Sequence, residues 1–206
     1  MTGFDGKLYR DVKAALGMER EVIDGFLSVS KLGYHRLKTI IECLVDSSLL
    51  EGDTAEIGVA TGKTSRIIAT LNHGATHWAC DTFCGLVDVS EEDGKHLRNG
   101  MLCHGIDEVM LELYGLGNVL VTPGVFPSSA GDMANKKYKF VHIDVDTYKS
   151  TIEAWEFFKD RMIGGHVVFD DVLSPRCVGA MKAWLEMGLW NKYRITSYPP
   201  QAVVHF

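Results

Sequence analysis

The chain has 206 residues, 46% hydrophobic and 23% charged, the balance of an ordinary globular protein long enough for one domain with a substantial core. A formal net charge of -6 supplies no general attraction for nucleic-acid phosphates. No run approaches the ~20 apolar residues of a membrane span, and the first ten residues hold no apolar core of signal-peptide length. Five cysteines, with Cys80 and Cys84 in a lone C-x3-C spacing, suit neither a disulfide framework nor a structural zinc site, so reduced thiols in a cytoplasmic protein are expected.

From Leu8 to about Leu50 the pattern is helical, with Gly33-Tyr34 marking a break or joint. Residues 1–50 are therefore expected to form a helical extension ahead of a main domain over 51–206. Beyond it, short β-branched runs alternate with helical segments, as in a parallel sheet with crossover helices. Strands are predicted over Thr54–Val59, Thr76–Asp81, Asn118–Thr122, Phe140–Asp144, His166–Phe169, Tyr193–Ser197 and Ala202–Phe206. The clearest helices are Thr64–Leu71, Ile106–Tyr114, Ser150–Arg161 and Val178–Met187, with Gly164-Gly165 ending the third just before its strand. Five strand–helix units and two final strands make an open, mostly parallel seven-stranded α/β sheet. Tyr198-Pro199-Pro200 is expected to turn a C-terminal antiparallel hairpin. His142, His166, Trp155, Trp184 and Trp190 are expected to be packing residues. In such sheets ligands bind at the carboxyl ends of the strands, where the unusual residues of this chain lie.

The first strand runs into Glu56-Ile57-Gly58-Val59-Ala60-Thr61-Gly62-Lys63-Thr64 and then a helix. Glycines there let the backbone turn tightly and approach a ligand. A dinucleotide fingerprint G-x-G-x-x-G fails because position 60 is alanine. A phosphate-binding loop needs four residues before its Gly-Lys-Thr, and only three separate Gly58 from Gly62. The remaining pattern is acidic-x-G-x-x-x-G, which is associated with Rossmann-like folds that bind S-adenosylmethionine. That ligand carries a sulfonium and an ammonium and no phosphate, so a nearby carboxylate suits it. Asp81 ends the second strand, where a carboxylate serves the ribose hydroxyls of an adenosine moiety; capping of the following turn is the plain alternative. Glu56, Gly58, Gly62, Asp81, Thr82, Gly124 and Asp144 are the expected cofactor-binding residues.

Two further strands end in paired acids, Asp144 with Asp146 and Asp170 with Asp171. Four carboxylates at one sheet edge repel one another unless a cation or proton intervenes, and hard divalent ions such as Mg2+ take carboxylate oxygens and water. Asp144, Asp170 and Asp171 form the natural ligand set. Helix capping by Asp146 or Asp171 and the Walker B strand of an ATPase are the competing explanations. The first leaves two double-acid strand ends unexplained, and the second lacks its phosphate loop.

Together these motifs resemble the macrocin O-methyltransferase family, whose members methylate sugar hydroxyls of natural products. The matching segments run in order over about 150 residues: 55–59, 81–86 (Asp81-Thr82-Phe83-Cys84-Gly85-Leu86), 123–126, 142–151, 164–171 and 177–180. The most specific is Asp144-Val145-Asp146-Thr147-Tyr148-Lys149-Ser150-Thr151. The resemblance implies a Rossmann-like class I methyltransferase fold and S-adenosylmethionine as cofactor. It implies Mg2+ on Asp144, Asp170 and Asp171, with Asp146 as general base. Catalysis would then engage Asp144 and Asp146. Two positions depart from the family pattern: Val172 stands where tyrosine is usual after the acid pair, and Val87 where proline is usual after Gly-Leu. The expected activity is O-methylation of a hydroxyl on a small molecule, with a sugar moiety first and a catechol-like phenol second. A non-catalytic nucleotide-binding domain is the reading from another class. Neither nucleic acid nor membrane is expected as a partner, and the N-terminal helices are expected to cover the site or to pair two copies of the chain.

Overall fold

A computed structural model describes residues 6–29, 33–72, 74–189, 193–196 and 200–206. Three helices come first, α1 (Gly6–Leu16), α2 (Arg20–Val29) and α3 (Tyr34–Asp46). Strands and helices then alternate as β1 (Asp53–Ile57), α4 (Lys63–Leu71), β2 (His77–Asp81), α5 (Ile106–Glu112) and β3 (Val119–Pro123). They continue as β4 (Tyr138–Ile143), α6 (Tyr148–Phe158), β5 (Met162–Phe169), α7 (Val178–Glu186), β6 (Tyr193–Ile195) and β7 (Ala202–His205). The seven strands form one sheet in the order β3-β2-β1-β4-β5-β7-β6. The first five are parallel, and β7 pairs antiparallel with both β5 and β6. The seven expected strands and the closing hairpin are present; Tyr198, Pro199 and Trp190 lie outside the described residues.

The order reverses at β1, which has β2 on one side and β4 on the other, so the loops after β1, β2 and β4 face a common crevice. The central strand β4 is buried on both faces, which is why it reads Tyr-Lys-Phe-Val-His-Ile without polar alternation, whereas β3 at the sheet edge is part-exposed. On one face Ile57, Val141, Ile143, Val167 and Phe169 pack against Ala154, Trp155 and Phe158 of α6 and Trp184 of α7. On the other, Phe140, Val168 and Val203 meet Ile67, Ile68 and Leu71 of α4 and Leu37, Ile40, Ile41 and Leu44 of α3. That last set recurs at the spacing of one helical face. Residues 34–46 therefore share the core of the sheet.

Two expectations need correction. The pair Gly164-Gly165 does not end a helix: α6 stops at Phe158, and both glycines lie inside β5. A side chain at 165 would bring its Cβ to 1.9 Å from the Lys139 carbonyl, and the β4–β5 register shifts there, so the glycines accommodate a bulge. The crossover after β3 contains no α-helix, only a 3-10 segment over Gly131–Asn135.

Candidate active site

A cavity of about 330 Å³ opens at the carboxyl ends of the strands. Gly58, Asp81, Thr82, Gly124, Asp144, Asp146 and Asp171 line it, whereas Glu56, Gly62 and Asp170 do not.

Backbone geometry builds the glycine half. Gly58 has φ of 90°, and a Cβ there would lie 2.0 Å from the Asp144 carbonyl oxygen. Only glycine permits that approach. Its N–H donates to Cys80 O and the Asp144 N–H donates to Ile57 O, both at 2.9 Å, so two successive residues tie the end of β1 to those of β2 and β4. Asp81 gathers the surrounding amides: its carboxylate accepts from Val59 N at 2.8 Å, Ala60 N at 3.0 Å and Phe83 N at 2.8 Å. The turn-capping alternative thus holds for one oxygen, while the residue still lines the cavity. Thr82 closes its own turn, donating to Gly85 O at 2.7 Å. Gly62 starts α4 in the left-handed conformation, facing Val109 rather than the cavity.

Glu56 turns inward. It is fully buried, accepts from Ser65 Oγ, and meets His142 Nδ1 at 2.8 Å. Because side chains alternate along β1, a residue two before the strand-end glycine faces the helix layer instead of the crevice. His142, expected to be a packing residue, joins Glu56 to the acid half, since its Nε2 stands 3.8 Å from Asp170 Oδ2. Burial pushes the imidazole down and the two carboxylates push it up more strongly, to about 10. At 3.8 Å the influence of Asp170 is that of a neighbouring charge rather than a hydrogen bond.

The acid half is built from side chains. The carboxylates form two clusters, His142–Asp144–Asp170 and Asp146–Asp171–Cys177, each with ligand atoms within 4.8 Å of one another. Asp144 opens onto the cavity but is packed deeply, and burial, followed by the charge of Asp170, raises its pKa well above the ordinary carboxylate value. Burial also raises Asp146, reinforced by the charges of Asp171 and Asp170 and opposed by the Cys177 thiol, which donates to its Oδ1 at 3.1 Å. Both Asp146 and Asp171 have positive φ, 61° and 53°, an uncommon conformation for residues with side chains that clusters at functional sites.

Two further contributions complete the site, an arginine and the segment 84–105, expected to help form the acceptor pocket. Arg36, in the first turn of α3, donates from Nη1 to Asp170 Oδ2 at 3.1 Å and from Nη2 to Asp171 Oδ1 at 2.7 Å. An isolated arginine on a helix carries no motif, so no sequence signal marked it. The second is a strap formed by the segment between β2 and α5, which contributes Leu86, Val87, Leu102 and His104 to the cavity wall. Its neck is closed by Leu86 N to Met101 O and Gly100 N to Leu86 O, both 2.8 Å. Its middle is pinned by Asp93, which is buried and accepts from Ser90 N at 2.8 Å and from Tyr148 N at 2.6 Å. The Asp93 carboxylate fills the place a side chain at Gly179 would take, 1.9 Å from that Cβ position. Ser90 and Asp93 form a capping box around the short 3-10 turn at 91–93, and Tyr148 is the long-range partner that fixes it to α6.

The family model for macrocin-O-methyltransferase (TylF) matches residues 8–189. A curated relative from Streptomyces olivaceus, 8-demethyl-8-(2,3-dimethoxy-alpha-L-rhamnosyl)-tetracenomycin-C 4'-O-methyltransferase, is 28% identical over 169 residues, covering 73% of this chain. The chain spans about two thirds, 65%, of that relative's length. Among solved structures, the O-methyltransferase NovP superposes with a TM-score of 0.71 at 23% identity, covering 97% of each chain. CalS11, a calicheamicin methyltransferase, superposes with a TM-score of 0.72 at 18% identity, covering 99% of this chain and 95% of its own. At these identities the superpositions establish the shared Rossmann-like fold.

Proposed function

The chain belongs to the macrocin-O-methyltransferase family, and on that premise we propose that it transfers a methyl group from S-adenosylmethionine to a hydroxyl on a sugar moiety of a small-molecule natural product. The observation that carries this reading is one continuous cavity lined by Gly58, Asp81 and Gly124 on one side and by Asp144, Asp146 and Asp171 on the other. A donor seated along the glycine half and an acceptor beside the acid half would meet within it.

Each part has a role that follows from its chemistry. Asp81 organises the loop amides and serves the ribose hydroxyls. Gly58 and Gly124 keep the backbone bare where the donor passes. Asp146 takes the hydroxyl proton as the acceptor oxygen attacks the methyl carbon; the carbon–sulfur bond breaks, its electron pair stays on sulfur, and S-adenosylhomocysteine leaves. A base whose pKa is raised by burial and neighbouring charge is better matched to neutral pH than an exposed carboxylate. Positioning and charge complementarity supply most of the acceleration.

The donor set fits a hard divalent ion, since it is all oxygen and includes a carboxyl, Asp144, whose burial beside Asp170 calls for positive charge. We assign Mg2+ to Asp144, Asp170 and Asp171, where it would make a coordinated hydroxyl more acidic. The acceptor is a small molecule rather than a nucleic acid or a membrane, and the protein works in the cytoplasm. Among the described residues, no helix is long and apolar enough to cross a membrane.

Calorimetric titration with S-adenosylmethionine, followed by a homocysteine-release assay over glycosylated and phenolic acceptors with and without chelator, tests the reading. Donor binding, turnover on a sugar hydroxyl and loss of turnover on chelation are expected. Absence of donor binding defeats the enzyme assignment, turnover on phenols alone redirects the acceptor, and chelator-resistant turnover removes Mg2+.

A further inference from the structure

Arg36 is the feature of the site that neither the motifs nor the proposed reaction uses. Its guanidinium spans the Asp170–Asp171 pair, one N–H to each carboxylate, with its side chain only 17% exposed. Its buried Nε has no hydrogen-bond partner among the described residues. Charge-assisted contacts of this kind are among the stronger ones in proteins. The pair is also the part of the acid cluster assigned above to the metal, so the inference rests on that assignment.

Mg2+ holds oxygen ligands at about 2.0–2.1 Å, so two oxygens on one ion lie no more than about 4.2 Å apart. Asp144 and Asp170 group with His142, whereas Asp171 groups with Asp146 and Cys177, so the three acids are divided between two clusters. Drawing all three onto one ion requires the acids to close up, and the guanidinium holds one oxygen of each of the last two. A dication arriving there also faces the positive charge of Arg36 at hydrogen-bond distance from its own ligands.

We infer that Arg36 and the divalent ion occupy the Asp170–Asp171 pair in turn, so that metal loading displaces Arg36 and loosens the first turn of α3. Arg36 then serves as the counter-charge of the empty site, and α3 becomes the element that registers whether the ion is present. The helix is suited to this because its first turn begins at Gly33, with φ of 76° and no side-chain cap, while Leu37, Ile40, Ile41 and Leu44 anchor the remainder in the core. The end can release without unseating the helix.

The probe is Mn2+, followed by paramagnetic resonance on the full chain without acceptor. Arg36→Met keeps much of the side-chain bulk and removes the charge, and it should bind Mn2+ about ten- to hundredfold more tightly than wild type. Asp144→Asn should weaken Mn2+ in both backgrounds. On the wild type, saturating Mn2+ should speed amide hydrogen exchange over 34–38 and leave 40–46 protected, a readout that does not depend on the variant folding. Equal or weaker Mn2+ binding by Arg36→Met, or exchange over 34–38 that is unchanged or slowed by Mn2+, overturns the exclusion while leaving the metal assignment standing. Mn2+ binding by neither protein overturns both.

Discussion

His77 and His142 flank β1 from opposite sides, His77 on β2 bonded to Thr54 Oγ1 at 2.9 Å and His142 on β4 bonded to Glu56 at 2.8 Å. Both are completely buried, yet they are driven in opposite directions. Burial, helped by the charge of His142, lowers His77 to about 3, whereas carboxylates overcome burial and raise His142 to about 10. The β2 side of β1 is therefore neutral at His77, and it leads to the glycine loop that the Asp81 carboxylate organises. The other is dense with charge and leads to the acids. Burial alone does not decide the protonation of an imidazole; what decides it is whether a carboxylate was buried with it.

The contrast predicts that damage on the two sides takes different forms. The largest effect belongs to the acid side: Asp146→Asn should reduce turnover by about 10²–10⁴-fold, the usual contribution of a positioned base, with donor affinity close to wild type by calorimetry. Equal loss of donor affinity would mean that the two halves do not divide the work. Asp81→Ala should do the reverse, weakening S-adenosylmethionine by about 1.5–3 kcal/mol, the scale of hydrogen bonds to a charged group. An unchanged dissociation constant in a folded variant removes Asp81 from the cofactor site.

The smallest effect concerns the neutral side. Because the folded value of His77 lies below the ordinary 6.5, the unfolded chain binds the proton more readily between those limits. The contribution of the neutral ring is complete above about pH 6.5 and is lost as the pH falls toward 3, about 1–2 kcal/mol by pH 5. Denaturant titrations of wild type and His77→Asn at pH 7 and pH 5 should show a smaller acid loss in the variant. Identical slopes would mean that His77 is not held neutral.

What was legible in the sequence follows the same division. Gly58 and the strand-end acids Asp81, Asp144 and Asp146 stand out because their spacing is local: a strand, a turn and a helix start lie within ten residues of one another. The central strands β1, β2 and β4 were legible because parallel strands buried on both faces leave apolar runs, and the outer strands because β-branched runs sit between turn residues. Glu56 had the right motif position but the wrong side, because strand alternation turns it toward Ser65 and His142. Arg36 and Asp93 were beyond reach for another reason. Arg36 meets partners 134 and 135 positions away, and Asp93 meets Tyr148 across 55. Neither separation leaves a periodic trace. Gly164-Gly165 reads locally as a helix stop, and only the proximity of the Lys139 carbonyl shows why a strand needs it.

The strap over the cavity is fastened at its neck by the Leu86–Met101 and Gly100–Leu86 backbone bonds and at its middle by Asp93 in the space beside Gly179. It is thereby a part with defined mounts. Chain between the mounts can change length and composition at little entropic cost, while the neck, Asp93 and Gly179 hold its position against α6 and α7. Evolution, or an engineer, has in it an exchangeable cartridge: on the proposed reading, the cavity wall changes through Val87 just inside the neck and Leu102 and His104 just beyond it, with the glycine loop left untouched. A glycine buried between two helices thus sets a condition on every such exchange, since any larger residue at 179 removes the socket into which the cartridge plugs.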